Sequence, residues 1–462
     1  MYFSLRAATI ALVALGLSAC DSDNDIFVPV QVIHAVANAP SVDVSNGAST
    51  LLTDLAFKEA SGFAPVFFGT TNIAVDARLP AGEQVTVIGP ANIPLAPGRE
   101  YSIIAAGSVG SVATPVQAIV LDNADTPVTA GNVRVQIVHA AAGAPAVDIH
   151  VTGPADPIIP ANAIAGGSTP FGAHSGQIEV PAGDYRVRVT LPGATDPVFD
   201  SGTVTLPAGA DLVVLAVDNT LAGRTLPDAA PISLLIADGT GQFEIYDTAT
   251  PAEVRVIHAV ADANEVDVYV NDPMANNMPA IEDLDFTEVV VGTDEYIAFD
   301  AGTINVLVTG ANNPGFIAIP ASDIDLEAGV QYSVFATGSV AAGIAAYITV
   351  DDDRSIATEA KTRIIHLAPS AGLVDIYVTE QGVDINTATP AIAGFDFGDD
   401  TGYLSLAPGA YDVTVALAGT KTIAIGPASL HLDAGGVYTA IARDPDVDVA
   451  NDPFGLILLD DF

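Results

Sequence analysis

The sequence predicts an all-β fold in which four β-sandwich domains follow one another along the chain. Three observations predict it. One block of two apolar segments recurs four times, two glycine-containing turns follow each block, and the segments after these turns alternate apolar and polar residues. Alternation with a period of two is typical of half-buried strands, and many short strands separated by regular turns are typical of sandwiches. No stretch after residue 20 has the period and caps of a long helix.

The first 19 residues predict a signal peptide for export. Arg6 supplies a positive charge, residues 7–16 are apolar, and Leu17-Ser18-Ala19 precede Cys20. The apolar stretch is shorter than the roughly 20 residues that a membrane-spanning helix needs. Leu-Ser-Ala-Cys resembles the bacterial lipobox, in which the cysteine is lipidated after cleavage. The alternative is ordinary cleavage at a small residue, with an incidental cysteine.

Cys20 is the only cysteine in the 462 residues. An exported chain that has its single thiol at the cleavage point, and no second thiol for a disulfide, favours lipidation. We therefore expect a lipidated N-terminus and a polar tether over residues 20–26. This tether would hold the protein on a bacterial membrane, facing the periplasm or the cell exterior, and the choice of membrane stays open.

The chain is strongly acidic, with 14 Lys and Arg against 56 Asp and Glu and a net charge of −42. This argues against nucleic acid and anionic lipid headgroups as partners, because both require a basic surface. Two interpretations of the acidity remain: solubility in a salty medium, or binding of divalent cations.

The clearest repeat marker is a histidine followed nine residues later by an aspartate. The block begins as VQVIHAVANAPSVDV at residues 30–44 and returns at residues 135–151, 254–270 and 362–378. The resulting pairs are His34 and Asp43, His139 and Asp148, His258 and Asp267, and His366 and Asp375. Four occurrences at one spacing indicate four copies of one structural unit.

The second glycine turn of each copy predicts a tyrosine corner, in which a tyrosine hydroxyl bonds to the backbone at a strand entry. The pattern Leu-x-(Pro/Ala)-Gly-x-x-Tyr ends at Tyr101, Tyr332 and Tyr438. The second copy has Leu212 at this position, so the bond is lost there.

These repeats predict four immunoglobulin-like, Greek-key domains over residues 27–128, 131–248, 251–358 and 361–462. The linkers between them are short, which favours a semi-rigid rod of independently folding domains.

The histidine–aspartate block is similar to the hallmark of the DUF4397 family, a domain of unknown function in bacterial and archaeal envelope proteins. The resemblance extends over nearly all of the chain after the signal peptide, as four copies. It implies a sandwich fold and a location outside the cytoplasm, and it implies no activity.

The repeated histidine–aspartate pair has two interpretations. A carboxylate can orient an imidazole for acid–base or metal chemistry. Alternatively, the pair is a structural hydrogen bond across the turn of a hairpin. We favour the structural interpretation, because no Ser, Thr or Cys recurs beside the pair as a nucleophile, and we expect no catalytic residues.

Metal sites are weakly indicated. Zinc requires several nitrogen or sulfur ligands that the sequence does not cluster. Calcium prefers acidic loops, and its weak candidates are Asp351, Asp352, Asp353, Asp444, Asp446 and Asp448. The competing interpretation is solvated acidic runs. No other cofactor is expected. Tyr269, Tyr377, Phe67 and Phe68 could form a carbohydrate platform, but we expect them in strands and the core.

The leading functional hypothesis is a non-enzymatic, lipid-anchored envelope protein for binding, adhesion or scaffolding, whose partner is an envelope protein or a polysaccharide. The rival is a calcium-dependent binder or a hydrolase that uses loops near the histidine–aspartate pairs. A third possibility is a subunit of an envelope assembly.

Overall fold

The structure is a computed structural model, and it describes residues 27–221, 229–271, 278–290 and 295–460. The predicted signal peptide, Cys20 and the tether lie outside the described residues. The all-β prediction is confirmed: the described residues form strands, with four three-residue 3-10 turns at Pro80–Gly82, Pro160–Asn162, Ile164–Gly166 and Ile385–Thr387. In this described part of the chain, no helix is long and apolar enough to cross a membrane.

The first sandwich has two four-stranded sheets, ordered β4-β1-β7-β8 and β3-β2-β5-β6. Strand β1 pairs in parallel with β7, and the other neighbours are antiparallel. The strands are β1 (Phe27–Ala35), β2 (Val42–Asn46), β3 (Ser49–Leu55), β4 (Ala64–Phe67), β5 (Gly69–Arg78), β6 (Gln84–Leu95), β7 (Arg99–Ala106) and β8 (Gln117–Ala124).

The second sandwich has a five-stranded sheet, β11-β9-β14-β15-β16, and a three-stranded sheet, β10-β12-β13. The strands are β9 (Asn132–His139), β10 (Asp148–Thr152), β11 (His174–Pro181), β12 (Gly183–Thr190), β13 (Pro197–Leu206), β14 (Asp211–Asp218), β15 (Ile232–Ala237) and β16 (Gln242–Ile245).

The third sandwich has the sheets β20-β17-β24-β25, in which β21 also pairs with β17, and β19-β18-β22-β23. The strands are β17 (Ala252–His258), β18 (Val266–Val270), β19 (Ile281–Leu284), β20 (Val289–Val290), β21 (Ile297–Phe299), β22 (Gly302–Gly310), β23 (Asn313–Leu326), β24 (Gln331–Ser339) and β25 (Gly343–Asp351).

The fourth sandwich has the sheets β29-β26-β32-β33 and β28-β27-β30-β31. The strands are β26 (Ala360–His366), β27 (Val374–Glu380), β28 (Ile392–Phe395), β29 (Leu404–Leu406), β30 (Gly409–Leu417), β31 (Ile423–Leu432), β32 (Val437–Arg443) and β33 (Gly455–Asp460).

The contacts divide the chain into two compact units that separate between Ala249 and Thr250. Each unit contains two sandwiches that share a buried cluster. In the first unit, Ile33 and Ile104 of the first sandwich pack with Val138 and Leu215 of the second. In the second unit, one cluster joins the third and fourth sandwiches through Ile257, Phe335, Ile365, Leu367, Ile441 and Ile457.

The shared clusters form because the first strand of each sandwich is buried on both faces. In β1, Val28, Val30 and Val32 point into the core of their own sandwich, whereas Ile33 and Ala35 belong to the cluster shared with the second sandwich. A sandwich cut from its partner would expose this second apolar face to water. Each pair of sandwiches therefore forms one packed body, and independent folding of the four domains stays a prediction.

Candidate functional site

The histidine–aspartate block crosses between the two sheets of each sandwich. In the first copy, His34 lies near the end of β1 and Asp43 lies at the start of β2, and these strands belong to different sheets. The same holds for β9 and β10, β17 and β18, and β26 and β27. The predicted hairpin is therefore wrong. We call the connecting segments, residues 36–41, 140–147, 259–265 and 367–373, the crossover loops.

The histidine of every copy is buried and bonds to its own crossover loop. Its Nε2 lies 2.9–3.3 Å from the carbonyl oxygen six residues later. These carbonyls belong to Pro40, Pro145, Asn264 and Gly372. An aromatic ring lies beside each imidazole, at centroid distances of 6.3–6.4 Å. The side chain thus fixes the path of the loop.

The second ring nitrogen determines the tautomer. In three copies Nδ1 accepts from the backbone N–H two residues later, at 3.2 Å in each case: Val36, Val260 and Ala368. A nitrogen that accepts this bond carries no proton, so Nε2 carries the hydrogen and donates it to the carbonyl. In the second copy, Nδ1 of His139 is buried without a hydrogen-bond partner among the described residues.

This arrangement disfavours protonation. Burial lowers the pKa of His258, so the ring is neutral at neutral pH. A proton on Nδ1 would also face the N–H of Val260 and break the bond that this N–H donates. In the three copies with both bonds, the imidazole therefore lacks the accessible lone pair that a general base or a metal ligand needs.

The aspartates hold different backbone segments. Asp148 accepts from the N–H groups of Gly193 and Ser168, and these bonds lower its pKa. Asp375 accepts from the N–H groups of Gly394 and Gly419, both at 2.9 Å. Asp267 accepts from Asp283 at 3.0 Å.

The first copy follows the same pattern, because Asp43 accepts from the N–H of Asp54 at 2.8 Å, with Arg78 and Gln84 nearby. The predicted hydrogen bond between each histidine and its aspartate is therefore wrong. Both side chains are structural, and each fastens a separate stretch of backbone.

The three tyrosines of the second glycine turn each bond to the start of that turn. The hydroxyl groups of Tyr101, Tyr332 and Tyr438 accept from the N–H five residues earlier, at 3.0–3.1 Å. Tyr101 also donates to the carbonyl of Pro94 at 3.2 Å. This is the geometry of a tyrosine corner.

The acidic runs form no oxygen cage. Asp351 is buried and accepts from Arg255 and Arg363, whereas Asp352 pairs with Lys361 at 2.9 Å. Asp353 accepts from Gln331 at 3.0 Å. The three carboxylates thus have separate partners, mostly cations, and do not converge on one point.

The C-terminal acidic run is likewise tied to neighbouring groups. Asp444 accepts from the hydroxyl of Ser370 at 2.8 Å, and Asp446 accepts from the N–H of Asp448 at 2.9 Å. Across the described ranges, no group of three or more His, Cys, Asp or Glu side chains could hold a metal ion.

The four aromatic residues considered for a carbohydrate platform differ in burial. Tyr269 and Tyr377 are buried in strands, as expected. Phe67 lies in β4, as expected, but the expected core position is wrong for both Phe67 and Phe68, which are 57% and 50% exposed. Phe27, 40% exposed, pairs with Phe67 across β1 and β4, and their ring centroids lie 4.6 Å apart. We call this exposed Phe27–Phe67 pair, together with the exposed Phe68 next to it in the sequence, the aromatic patch.

Sequence reasoning missed a buried ionic network in the second unit. The Arg255 guanidinium donates to Asp460 at 2.6 Å and to Asp351 at 3.0 Å, and all three side chains are 2% exposed or less. Although burial alone would lower the pKa of Arg255, Asp351 and Asp460 raise it above its ordinary value. Arg363 of the fourth sandwich donates to Asp351 at 3.0 Å, so the network joins the two sandwiches.

A sequence signal for this network exists. Each first strand has a polar residue three positions before its histidine: Gln31, Gln136, Arg255 and Arg363. In the first unit, Gln31 donates to Ser102 at 2.8 Å, and Asn123 donates to Gln136 at 2.7 Å. The polar position thus marks the face on which two sandwiches meet.

Solved structures show only distant similarity. The Bacillus anthracis TIE protein is 10% identical over 90% of this chain and 68% of its own, with a TM-score of 0.15. A streptococcal family 41 carbohydrate-binding module that recognises α-glucan is 10% identical, over 42% of this chain and 94% of its own, with a TM-score of 0.14. A Bacteroides uniformis protein named as a candidate for cell adhesion is 13% identical, over 48% of this chain and 99% of its own, with a TM-score of 0.16. Similarities this weak support no functional argument.

The family comparison is more decisive. No curated protein matches the sequence. The model of the family described as "Domain of unknown function (DUF4397)" matches residues 28–150 and 252–377, which together are more than half of the chain. Each match starts in the first strand of one sandwich and ends in the second strand of the next. The expected family is confirmed, and the chain belongs to the DUF4397 family, a domain of unknown function.

Proposed function

We propose that this protein is a non-enzymatic, lipid-anchored component of the bacterial cell envelope that binds a surface polysaccharide or an envelope protein. The observation that carries the proposal is the aromatic patch on the first sandwich. Exposed apolar surface is costly in water, and clustered exposed aromatic side chains are typical of interaction sites.

The patch is a special feature of the first copy. In the second copy, the pair of residues at the same register as Phe27 and Phe67 is Asn132 and Pro181. A purely structural need would place aromatic residues in both copies. The difference favours a role in binding for the first sandwich.

The repeated histidines also favour a non-enzymatic role. They are the residues that acid–base or metal chemistry would use, and in three of the four copies backbone bonds occupy both ring nitrogens. The exposed phenylalanines, by contrast, present apolar surface to solvent.

Binding is tested with purified envelope material. The full chain is mixed with isolated envelope polysaccharide, with peptidoglycan or with solubilised envelope proteins, and the bound fraction is measured after sedimentation. We expect Phe67→Ser combined with Phe68→Ser to reduce binding tenfold or more at an unchanged melting temperature. Phe316→Ser is the control, because Phe316 of the third sandwich is also exposed, at 38%, and lies outside the aromatic patch. Equal binding by both variants contradicts the proposal.

The anchor requires a separate experiment. Lipidation of Cys20 would hold the chain firmly, because two or more acyl chains anchor stably. In Cys20→Ala, we expect the protein to move from the membrane fraction to the soluble fraction and to lose labelling by a palmitate analogue. A wild-type chain that takes up no label would contradict lipidation, and label retained by Cys20→Ala would contradict Cys20 as its site.

A further inference from the structure

The second sandwich contains an apolar cavity between its two sheets. The cavity has a volume of about 380 Å³ and aliphatic walls, with Val135 and Leu212 on one sheet and Val187 and Val204 on the other. The comparable cavity of the third sandwich, lined by Tyr332, has about 130 Å³. The second sandwich therefore differs from its sister copy in the space between its sheets.

One cause is a missing edge strand. The second sheets of the other three sandwiches have four strands, and β3, β19 and β28 lie at their edges. The second sandwich has three strands in this sheet, and residues 153–173 include two 3-10 turns instead. Ile164, at the start of the second turn, lines the cavity. Turns cover the inner face less completely than a paired strand would.

A second cause is the lost tyrosine corner. Leu212 occupies the register position of Tyr101, Tyr332 and Tyr438. In the other copies, the N–H five residues earlier donates to the tyrosine hydroxyl. In the second copy that residue is Pro207, which has no N–H to donate. Leu212 and Pro207 both line the cavity, so these differences all meet at one place.

The opening of the cavity limits the charge of a ligand. Asp238 and Phe243 line it and are exposed, which places them where the cavity meets solvent. The Asp238 carboxylate accepts from the Thr240 hydroxyl at 2.7 Å and from the N–H groups of Thr240 and Gly241. The Thr240 side-chain bond lowers the pKa of Asp238, so the carboxylate is charged and repels anions.

We propose that this cavity binds an uncharged hydrocarbon chain, such as the alkyl part of a neutral lipid or alcohol. An empty apolar cavity leaves its wall atoms without contacts, stays dry and accepts apolar guests. Its volume lies at the lower end of the range of about 300–1,000 Å³ found for ligand pockets. The aliphatic walls provide the contacts, and Asp238 selects against fatty-acid anions.

The test uses a neutral fluorescent probe, N-phenyl-1-naphthylamine, with the full chain at pH 7.5. Probe fluorescence should rise on binding, and 1-dodecanol should displace the probe at a concentration at least tenfold lower than dodecanoate. Leu212→Phe fills the cavity without adding a hydroxyl, and it should weaken probe binding tenfold or more while circular dichroism stays unchanged. Tyr332→Phe is the matched control in the third sandwich and should bind as the wild type does.

Three results would overturn the proposal: no rise in probe fluorescence, undiminished binding by Leu212→Phe, or displacement by dodecanoate as effective as by dodecanol. If Leu212→Phe does not fold, Ala210→Leu fills the same cavity from a neighbouring wall position and must show the same loss of binding.

Discussion

Replacing Arg255 with methionine should strongly destabilise the second unit. The substitution keeps the apolar length of the side chain and removes the guanidinium that bonds Asp460 at 2.6 Å, Asp351 at 3.0 Å and Ser333 at 2.6 Å. Asp351 keeps Arg363, but Asp460 loses the cation that it pairs with while its side chain stays 2% exposed. Breaking a buried ion pair on one side costs about 3–5 kcal/mol. With a urea dependence of about 2–3 kcal/mol per molar, the midpoint should fall by about 1–2.5 M.

The assay is urea unfolding of the full chain, followed by far-ultraviolet circular dichroism and tyrosine fluorescence. Arg99→Met is the control, because Arg99 forms a solvent-exposed pair with Asp122 in the first unit and should change the midpoint little. Combining Arg255→Met with Asp460→Leu should recover much of the loss, since no unpaired charge remains. A loss of less than about 1 kcal/mol in Arg255→Met, or a double variant that is less stable than the single one, would refute a buried network joining the third and fourth sandwiches.

Three further predictions concern stability and its pH dependence. His258→Ala should lower the free energy of unfolding by about 2–4 kcal/mol, because it leaves the Asn264 carbonyl and the Val260 N–H without their partner. Asp267→Asn should cost less, since the new amide oxygen still accepts from the N–H of Asp283. Burial lowers the folded-state pKa of His258, so its stabilising contribution is complete above the unfolded pKa of about 6.5 and is lost as the pH falls. The urea midpoint should therefore fall between pH 8 and pH 5, and it should fall less in His258→Ala than in the wild type. The pH dependence from Glu100 has the opposite sign, because burial first, and then Asp211 and Asp125, raise its pKa to about 7. The stability of the first unit should therefore fall as the pH rises from about 4.5 through 7, and Glu100→Gln should remove that loss in the same assay.

The sequence predicted the parts of the fold that depend on local pattern. Period-two alternation and glycine turns indicated short strands, and the described residues form them. The tyrosine hydroxyls occupy the positions that the turn motif indicated, because the motif itself sets the distance from hydroxyl to backbone.

The pairing of sandwiches was not predicted, because the end of β1 carries apolar residues on both of its faces. Such a segment has no period that separates its inner face from its outer face. Ile33 and Val32 are equally apolar, yet they belong to different buried clusters.

The histidine–aspartate hydrogen bond was predicted from a spacing that fits a hairpin. The spacing fits a crossover between sheets equally well, and sequence alone does not reveal which sheet the second strand joins. Once β1 and β2 lie in opposite sheets, the nearest acceptor for His34 is the Pro40 carbonyl of its own loop. The exposure of the phenylalanines was not predicted, because an apolar residue in an edge strand fits the period-two pattern whether it is buried or exposed.

The repeated histidines bond to their crossover loops, and we propose that binding takes place at the aromatic patch. One comparison within the first sandwich tests both roles. Envelope binding and melting temperature are measured for His34→Ala and for Phe67→Ser combined with Phe68→Ser. We predict that His34→Ala lowers the melting temperature and binds normally below it, while the phenylalanine variant melts as the wild type does and loses binding. Loss of binding by a folded His34→Ala, with full binding by the phenylalanine variant, would contradict the claim.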